Sequence, residues 1–314
     1  MGSRTPLSRF RPLLESTHSE RLRSRIMIYE AKREDLFTQR QGEIASVPLL
    51  STDRLRRSLG PDSGAETFYI MGSGASIENL TDEHFVQIAS QTSVGINSWG
   101  VHQFVPDIYS FESVPWVGDG QDFARAMSLL NRHDICARKP EVIILRPKTA
   151  PEIENLKVLP DVLRDSVSFY GRVAPATRRY SNLLADVARY FDQVVPRFPS
   201  VVLDSGASVV RMVVLGIILG FRRIVLAGVD LNGSPYFWEK RPEYLLSLAA
   251  APPINNQLTS THETLSSVNR PFEVRKMLRA LDCFFQAERG GQLLVASPDS
   301  ALAEFLPVET WEKS

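Results

Sequence analysis

The chain of 314 residues is 43% apolar and 23% charged, the proportions of an ordinary soluble protein with enough length for one large domain or two small ones. Thirty-six Lys and Arg balance thirty-six Asp and Glu, which excludes the basic excess of a general nucleic-acid binder. Two cysteines, Cys136 and Cys283, exclude a disulfide framework or a four-cysteine zinc site and point to a reducing compartment.

Residues 1–60 stand apart. They hold twelve basic and seven acidic residues, a net charge of +5, so residues 61–314 sum to −5. Their interior, Glu15 to Gln41, has helical composition with a weak apolar stripe of Leu22, Ile26, Ile28, Tyr29, Leu36 and Phe37. The segment reads as a basic helical extension or arm, which either meets anionic lipid or is simply solvated. The first residues are polar and basic and lack an apolar signal core. The longest apolar run, Val209 to Leu219, carries Arg211 and falls short of the ~18–20 residues of a membrane span. A cytoplasmic protein is expected, with peripheral contact at the inner membrane through the arm as a further option. Gly60-Pro61-Asp62-Ser63-Gly64 reads as a linker or turn, leaving 61–314 as the main domain.

From there strand, loop and helix alternate. Thr67–Met71, Ser93–Asn97, Asp107–Phe111, Glu141–Leu145, Arg223–Val229 and Gln292–Ala296 are predicted strands. Gln121–Asn131, Ala176–Phe191, Ser208–Leu219 and Phe272–Glu288 are predicted helices. This alternation predicts an α/β, Rossmann-like fold, a parallel sheet with helices on both faces. Ser208–Leu219 is apolar nearly all round and is expected to be a buried crossover.

Four elements could carry chemistry. Gly72-Ser73-Gly74-Ala75-Ser76 follows the first strand, where glycines permit close backbone approach and exposed amides can hold an anion. Ile77 stands where a dinucleotide fingerprint wants a third glycine, and the Gly-Lys-Ser/Thr of a P-loop is missing. Asp204-Ser205-Gly206-Ala207-Ser208 opens the apolar helix, and its serines and amides suit a carboxylate or phosphate, or else simply cap the helix. Asp230-Leu231-Asn232-Gly233-Ser234-Pro235-Tyr236 follows the Arg223 strand, where open parallel sheets bind ligands. Asp230 would face a ligand there or cap neighbouring amides. His262, in Ser260-Thr261-His262-Glu263, could act as a base near neutral pH. The five histidines show no His-Glu-x-x-His spacing and the chain has no Asp-x-Asp, so no metal site is expected.

Taken together, these elements resemble the bacterial sialyltransferases of glycosyltransferase family 42, with partial likeness to pterin-pyrophosphokinase-like and flagellin-glycosylation domains. The likeness rests on Tyr69 to Ile77, on Ala207-Ser208-Val209-Val210, on Leu219 to Asp230, on Asn232 to Phe237, on Thr261-His262-Glu263 and on Ala296 to Ala303. It covers about residues 67–306. It implies a GT-A-variant, metal-independent, inverting transferase without a cofactor, moving a sialic or related nonulosonic acid from a CMP-sugar to a glycan hydroxyl, as in bacterial lipopolysaccharide or capsule biosynthesis. His262 would be the base and Tyr236 would stabilise the departing phosphate. Gly72, Ser73, Gly74, Ser76 and Asn97 would line the nucleotide. Ser205, Gly206 and Ser208 would hold the sugar carboxylate, with Asp230 and Asn232 also on the donor side and 231–270 an active-site lid. Ser73 stands where the family usually has Asn, and the first of the family's two tyrosines after Leu231 is missing. The donor stays open among sialic, legionaminic, pseudaminic and ketodeoxyoctonic acids. So do the acceptor and a homo-oligomeric state. Two other readings stand beside this one: a Mg-dependent pterin pyrophosphokinase-like enzyme with Asp230 on the metal, and a non-catalytic nucleotide-sugar-binding domain.

Overall fold

The computed structural model describes residues 20–112, 127–146, 150–177, 179–233, 236–241 and 272–311. Seven parallel strands form the main sheet: β1 (Thr67–Met71), β2 (Thr92–Ile96), β3 (Ile108–Glu112), β4 (Val142–Arg146), β5 (Val167–Phe169), and, after a separate pair β6 (Gly171–Val173) and β7 (Val201–Leu203), β8 (Arg223–Ala227) and β9 (Gln292–Val295). Their spatial order is β5-β4-β3-β2-β1-β8-β9. The chain therefore builds outward from β1 to one edge, then returns to lay β8 and β9 on the other side. The fold is the expected α/β, Rossmann-like one. The six predicted strands are observed within a residue or two of their expected ends, whereas β5, β6 and β7, of three residues each, are additions.

Alternate residues along the strands enter two separate cores, as the two-residue period of a strand requires. Phe68, Ile70, Val94, Ile96, Ile108 and Ile144 face one core; Tyr69, Met71, Tyr109, Ile143, Val225 and Leu294 face the other. Long helices cover the first face. We number the longer helices α1 (Glu20–Ala45), α2 (Thr52–Leu59), α3 (Asp82–Ala89), α4 (Tyr180–Arg189), α5 (Ser208–Leu219) and α6 (Val274–Arg289). The second face is covered by α3 and by short helical turns, including 97–101 and 155–158. Of the expected Gln121–Asn131 helix, Met127–Leu129 is helical and residues 121–126 lie outside the described residues.

The crossover α5 has every residue after Ser208 buried, in keeping with its all-round apolar character. It runs antiparallel to the strand that follows, so its N-terminus sits at the carboxyl edge of the sheet. Gly216 sets its depth. A β-carbon there would meet Phe68 at 2.7 Å and Ile224 at 2.9 Å, so the helix rides closer to β1 and β8 than any side chain would allow.

The N-terminal extension is helical and is packed into the same molecule. Helix α1 lies against β6, and Arg23 and Arg189 close on the buried Asp186 of α4. Glu34 pairs with Arg146, and Ser200 donates to Asp35. Phe169 exchanges backbone bonds with the 48–50 segment, accepting from Leu50 and donating to Pro48, which seals the β5 edge. The other edge, β9, is sealed by Pro307 and Glu309. Edges covered in this way offer no free ladder to another chain.

Gly216→Val is expected to lower stability by about 1–3 kcal/mol in urea unfolding. Glycine is the poorer helix former, so a gain in stability would show that close approach of α5 does not govern this position.

Candidate functional site at the carboxyl edge

In open α/β sheets the crevice forms where the strand order reverses. Here that point lies between β1 and β8. The turn Gly72–Ser76 leaves β1 and Gly228-Val229-Asp230 leaves β8, side by side. Gly72 donates its amide to Ala227 at 2.7 Å, and Gly74 donates to Gly228 at 2.7 Å. A β-carbon at Gly72 would lie 2.5 Å from the Gly228 carbonyl oxygen, and one at Gly74 would lie 2.8 Å from the same atom. The glycines are therefore required by the approach of one loop to another, whatever else binds there.

Asp230 completes this junction. Its carboxylate accepts from the Ser76 amide at 3.0 Å and from the Ser76 hydroxyl. Asp230 is 6% exposed, and its carboxylate fills the anion position at the start of the short helical turn 75–79. Of the two roles the sequence left open for Asp230, amide capping is the one observed. Downstream, Ser300 donates to the Val229 carbonyl at 2.7 Å and Asn232 donates to the Asp299 carbonyl at 2.9 Å. Leu231 has φ +49°, an uncommon left-handed conformation for leucine, and is held between these anchors.

A second cluster forms at the N-terminus of α5. Asp204 accepts from the amides of Gly206 at 2.7 Å and Ala207 at 3.2 Å. Arg211 donates to Asp204 at 3.1 Å and to the Ser208 hydroxyl at 2.7 Å, and Arg172 reaches Asp204 at 3.0 Å. Ser208 donates in turn to the Asn97 side-chain oxygen at 3.0 Å. Asn97 follows β2 with φ +56°, a conformation asparagine tolerates. The Ser205 hydroxyl is buried and has no hydrogen-bond partner among the described residues. Arg211, conspicuous in the sequence only as the charge that interrupts an apolar run, thus ties the helix end to the Asp204 carboxylate, which the Arg172 guanidinium also contacts. Arg172 and Arg211 are members of this cluster that motif reading passes over, and Asp204 stands in the motif without a role assigned to it.

Tyr236 comes to the glycine turn through its backbone. It bridges Gly74 in antiparallel fashion, and Phe237 donates its amide to Ser73 at 3.1 Å. Tyr236 stacks on Trp238 at 4.5 Å, while Phe237 packs against Trp99 at 5.6 Å and His102 at 5.4 Å. Trp99 and His102 are therefore the anchors of the Tyr236 segment. Neither belongs to a sequence motif. His262 and most of the expected 231–270 lid lie outside the described residues.

The predicted site residues divide by exposure. Ser73, Gly74, Asn97, Gly206, Ser208, Asn232 and Tyr236 are wholly or partly open to solvent, while Gly72, Ser76, Ser205 and Asp230 are buried. Since β2, β1 and β8 are consecutive in the sheet, Asn97, the glycine turn and Asp230 span two strand spacings, about 10 Å. Among the described residues no three His, Cys, Asp or Glu side chains converge as a metal-binding group. Two surface depressions, of about 300 Å³ beside Gln39, Gly42 and Val47 and of about 260 Å³ beside Ser63, Gln91 and Asp107, lie away from this edge. No protein-family model matches the chain, and no curated protein matches it.

Burial lowers the His102 pKa to about 4, and the cationic Arg132 and Arg241 act in the same direction. Its Nδ1 accepts from the Phe104 amide at 3.0 Å. The folded state thus favours neutral imidazole. Its contribution to stability is present above the unfolded value near 6.5 and is lost as pH falls toward 4. Thermal unfolding from pH 7 to 4 is expected to lose about 3 kcal/mol through this group, and His102→Gln should flatten that part of the profile. Asp230→Ala strands two buried donors of Ser76 and should cost about 1–3 kcal/mol in denaturant unfolding, with Asp230→Asn costing less.

Proposed function

We propose that the carboxyl edge binds a CMP-activated nonulosonic acid and that the protein transfers the sugar to a glycan hydroxyl, a sialyltransferase-like activity that needs no metal. The observation that carries this reading is the backbone union of Tyr236 with the Gly72–Ser76 turn at the β1/β8 switch point. It puts the Tyr236 residue beside a turn whose open residues, Ser73 and Gly74, could line a nucleotide. Asn97, just past the neighbouring strand β2, and Ser208, at the start of α5, joined at 3.0 Å, would supply amide and hydroxyl groups for the donor's carboxylate end.

The chemistry asks little of the protein beyond placed donors. A CMP leaving group carries one phosphate, and hydroxyl and amide donors that tighten as its charge develops lower the barrier. Tyr236 would donate to a phosphate oxygen, Ser208 would orient the sugar carboxylate, and His262 would accept the acceptor's hydroxyl proton. Because Asp204 and Asp230 already fill the anion positions of the α5 terminus and the glycine turn, the ligand's anionic groups would be met by side-chain hydroxyls and the remaining amides. That same filling favours a second reading, a nucleotide-sugar-binding domain without turnover.

Incubation with CMP-sialic acid or a congener in the presence of EDTA is expected to release CMP. Tyr236→Phe should slow release about 10²–10³-fold, and His262→Ala about 10²–10⁴-fold with CMP-induced thermal stabilisation retained. Stabilisation by CMP without release from any CMP-nonulosonate would favour the binding domain. Neither stabilisation nor release from folded protein would overturn both.

A further inference from the structure

Helix α1 is turned only partly as its stripe suggests. Its buried positions are Arg23, Met27, Ala31, Thr38 and Gly42, mostly small or polar; of the stripe, Leu22, Ile26 and Ile28 are half-buried, whereas Tyr29, Leu36 and Phe37 face outward, joined by Ile44. Tyr29 and Leu36 are each 55% exposed, Phe37 38% and Ile44 65%. The spacings 29–36 and 37–44 are seven residues, so each pair recurs on one side of the helix two turns apart. Four cations, Arg25, Lys32, Arg33 and Arg40, are exposed on the same outward face, with Glu43 the one exposed acid among them. Of the helix's other central acids, Glu34 pairs with Arg146 and Asp35 accepts from Ser200, while Glu30 is half-buried on the side of Phe37, seven residues before it. Twenty-six residues make a rod about 39 Å long.

We infer that the outward face of α1 is an interfacial surface that seats the protein on an anionic lipid bilayer. Apolar side chains in two rows, with Arg33 and Arg40 between them and Arg25 and Lys32 at one margin, on a helix too polar to span, give this face groups for both the headgroup plane and the acyl boundary. The cations would meet lipid phosphates, while Tyr29, Leu36, Phe37 and Ile44 reach the acyl boundary. A second copy of the chain is the poorer occupant. Facing two such helices would set eight cations against two acids. The inference does not depend on what the carboxyl edge binds.

The test is co-sedimentation of the full chain with vesicles. Binding is expected to phosphatidylcholine vesicles that contain phosphatidylglycerol, to weaken as salt is raised, and to be absent with phosphatidylcholine alone. Arg33→Glu with Arg40→Glu should weaken binding at least about tenfold, and Tyr29→Ser with Leu36→Ser should weaken it while the melting temperature stays unchanged. All four positions are solvent-exposed, so the variants should fold. Failure to bind anionic vesicles, binding that both double variants retain, or a lipid-free dimer that the Tyr29/Leu36 variant dissolves would each overturn the inference, the last by assigning the face to a second copy.

Discussion

The pairing of β1 with β8 is the constraint on which the rest of this molecule depends. The two strands are far apart in sequence, and the loops that leave them touch backbone to backbone at Gly72, Gly74 and Gly228. Only glycine fits where one main chain lies against another. Asp230 then accepts from Ser76 across 154 residues of sequence and fixes the turn from below. With this junction in place, the 236–238 segment has a surface to dock on and α5 a sheet to cross. Without it the strand order has no reversal and the edge has no crevice.

The two ends at which a Rossmann-like fold ordinarily offers positive potential share one arrangement. At the start of α5 and at the glycine turn, an aspartate of the protein's own occupies the place an anionic ligand would take. Each aspartate leaves accessible neighbours beside it: Ser208 and Asn97 at the first, Ser73 and Gly74 at the second. What this edge leaves open is thereby shifted from bare amides toward hydroxyl and carboxamide groups. These discriminate by direction more than by charge. The ion pairs beneath α5 have another effect, because a guanidinium 1% exposed and paired to a buried carboxylate is costly to break from either side.

Much of the fold was legible because local signals coincide. Thr67–Met71 followed by glycines, and Ser208–Leu219 followed by Gly220, were readable to the residue because apolar run, turn chemistry and length agree there. The three-residue strands β5 to β7 carry too little pattern to be read. The face that α1 buries was hidden for a different reason: Arg23 is held by Asp186 of α4, Thr38 donates back to the Glu34 carbonyl and Gly42 accepts from the Val47 amide, and periodicity sees only apolarity. At the carboxyl edge, the motifs at Gly72–Ser76, Asp204–Ser208 and Asp230 fall on loops that leave neighbouring elements. The roles of Asp204, Arg211, Trp99 and His102 were not legible, since each is defined by a contact between segments that lie apart in the chain or by burial.

The sealed borders of the sheet set the limits of the folding unit. Composition suggests trimming the chain at the Gly60–Gly64 turn, yet residues 48–50 complete the backbone ladder of β5, just as 307–309 complete that of β9. A fragment begun at residue 61 would present an unclothed strand at Phe169, a docking template for any extended peptide or for its own kind. The basic extension is thus also a selvedge: it keeps the weave from catching on its neighbours.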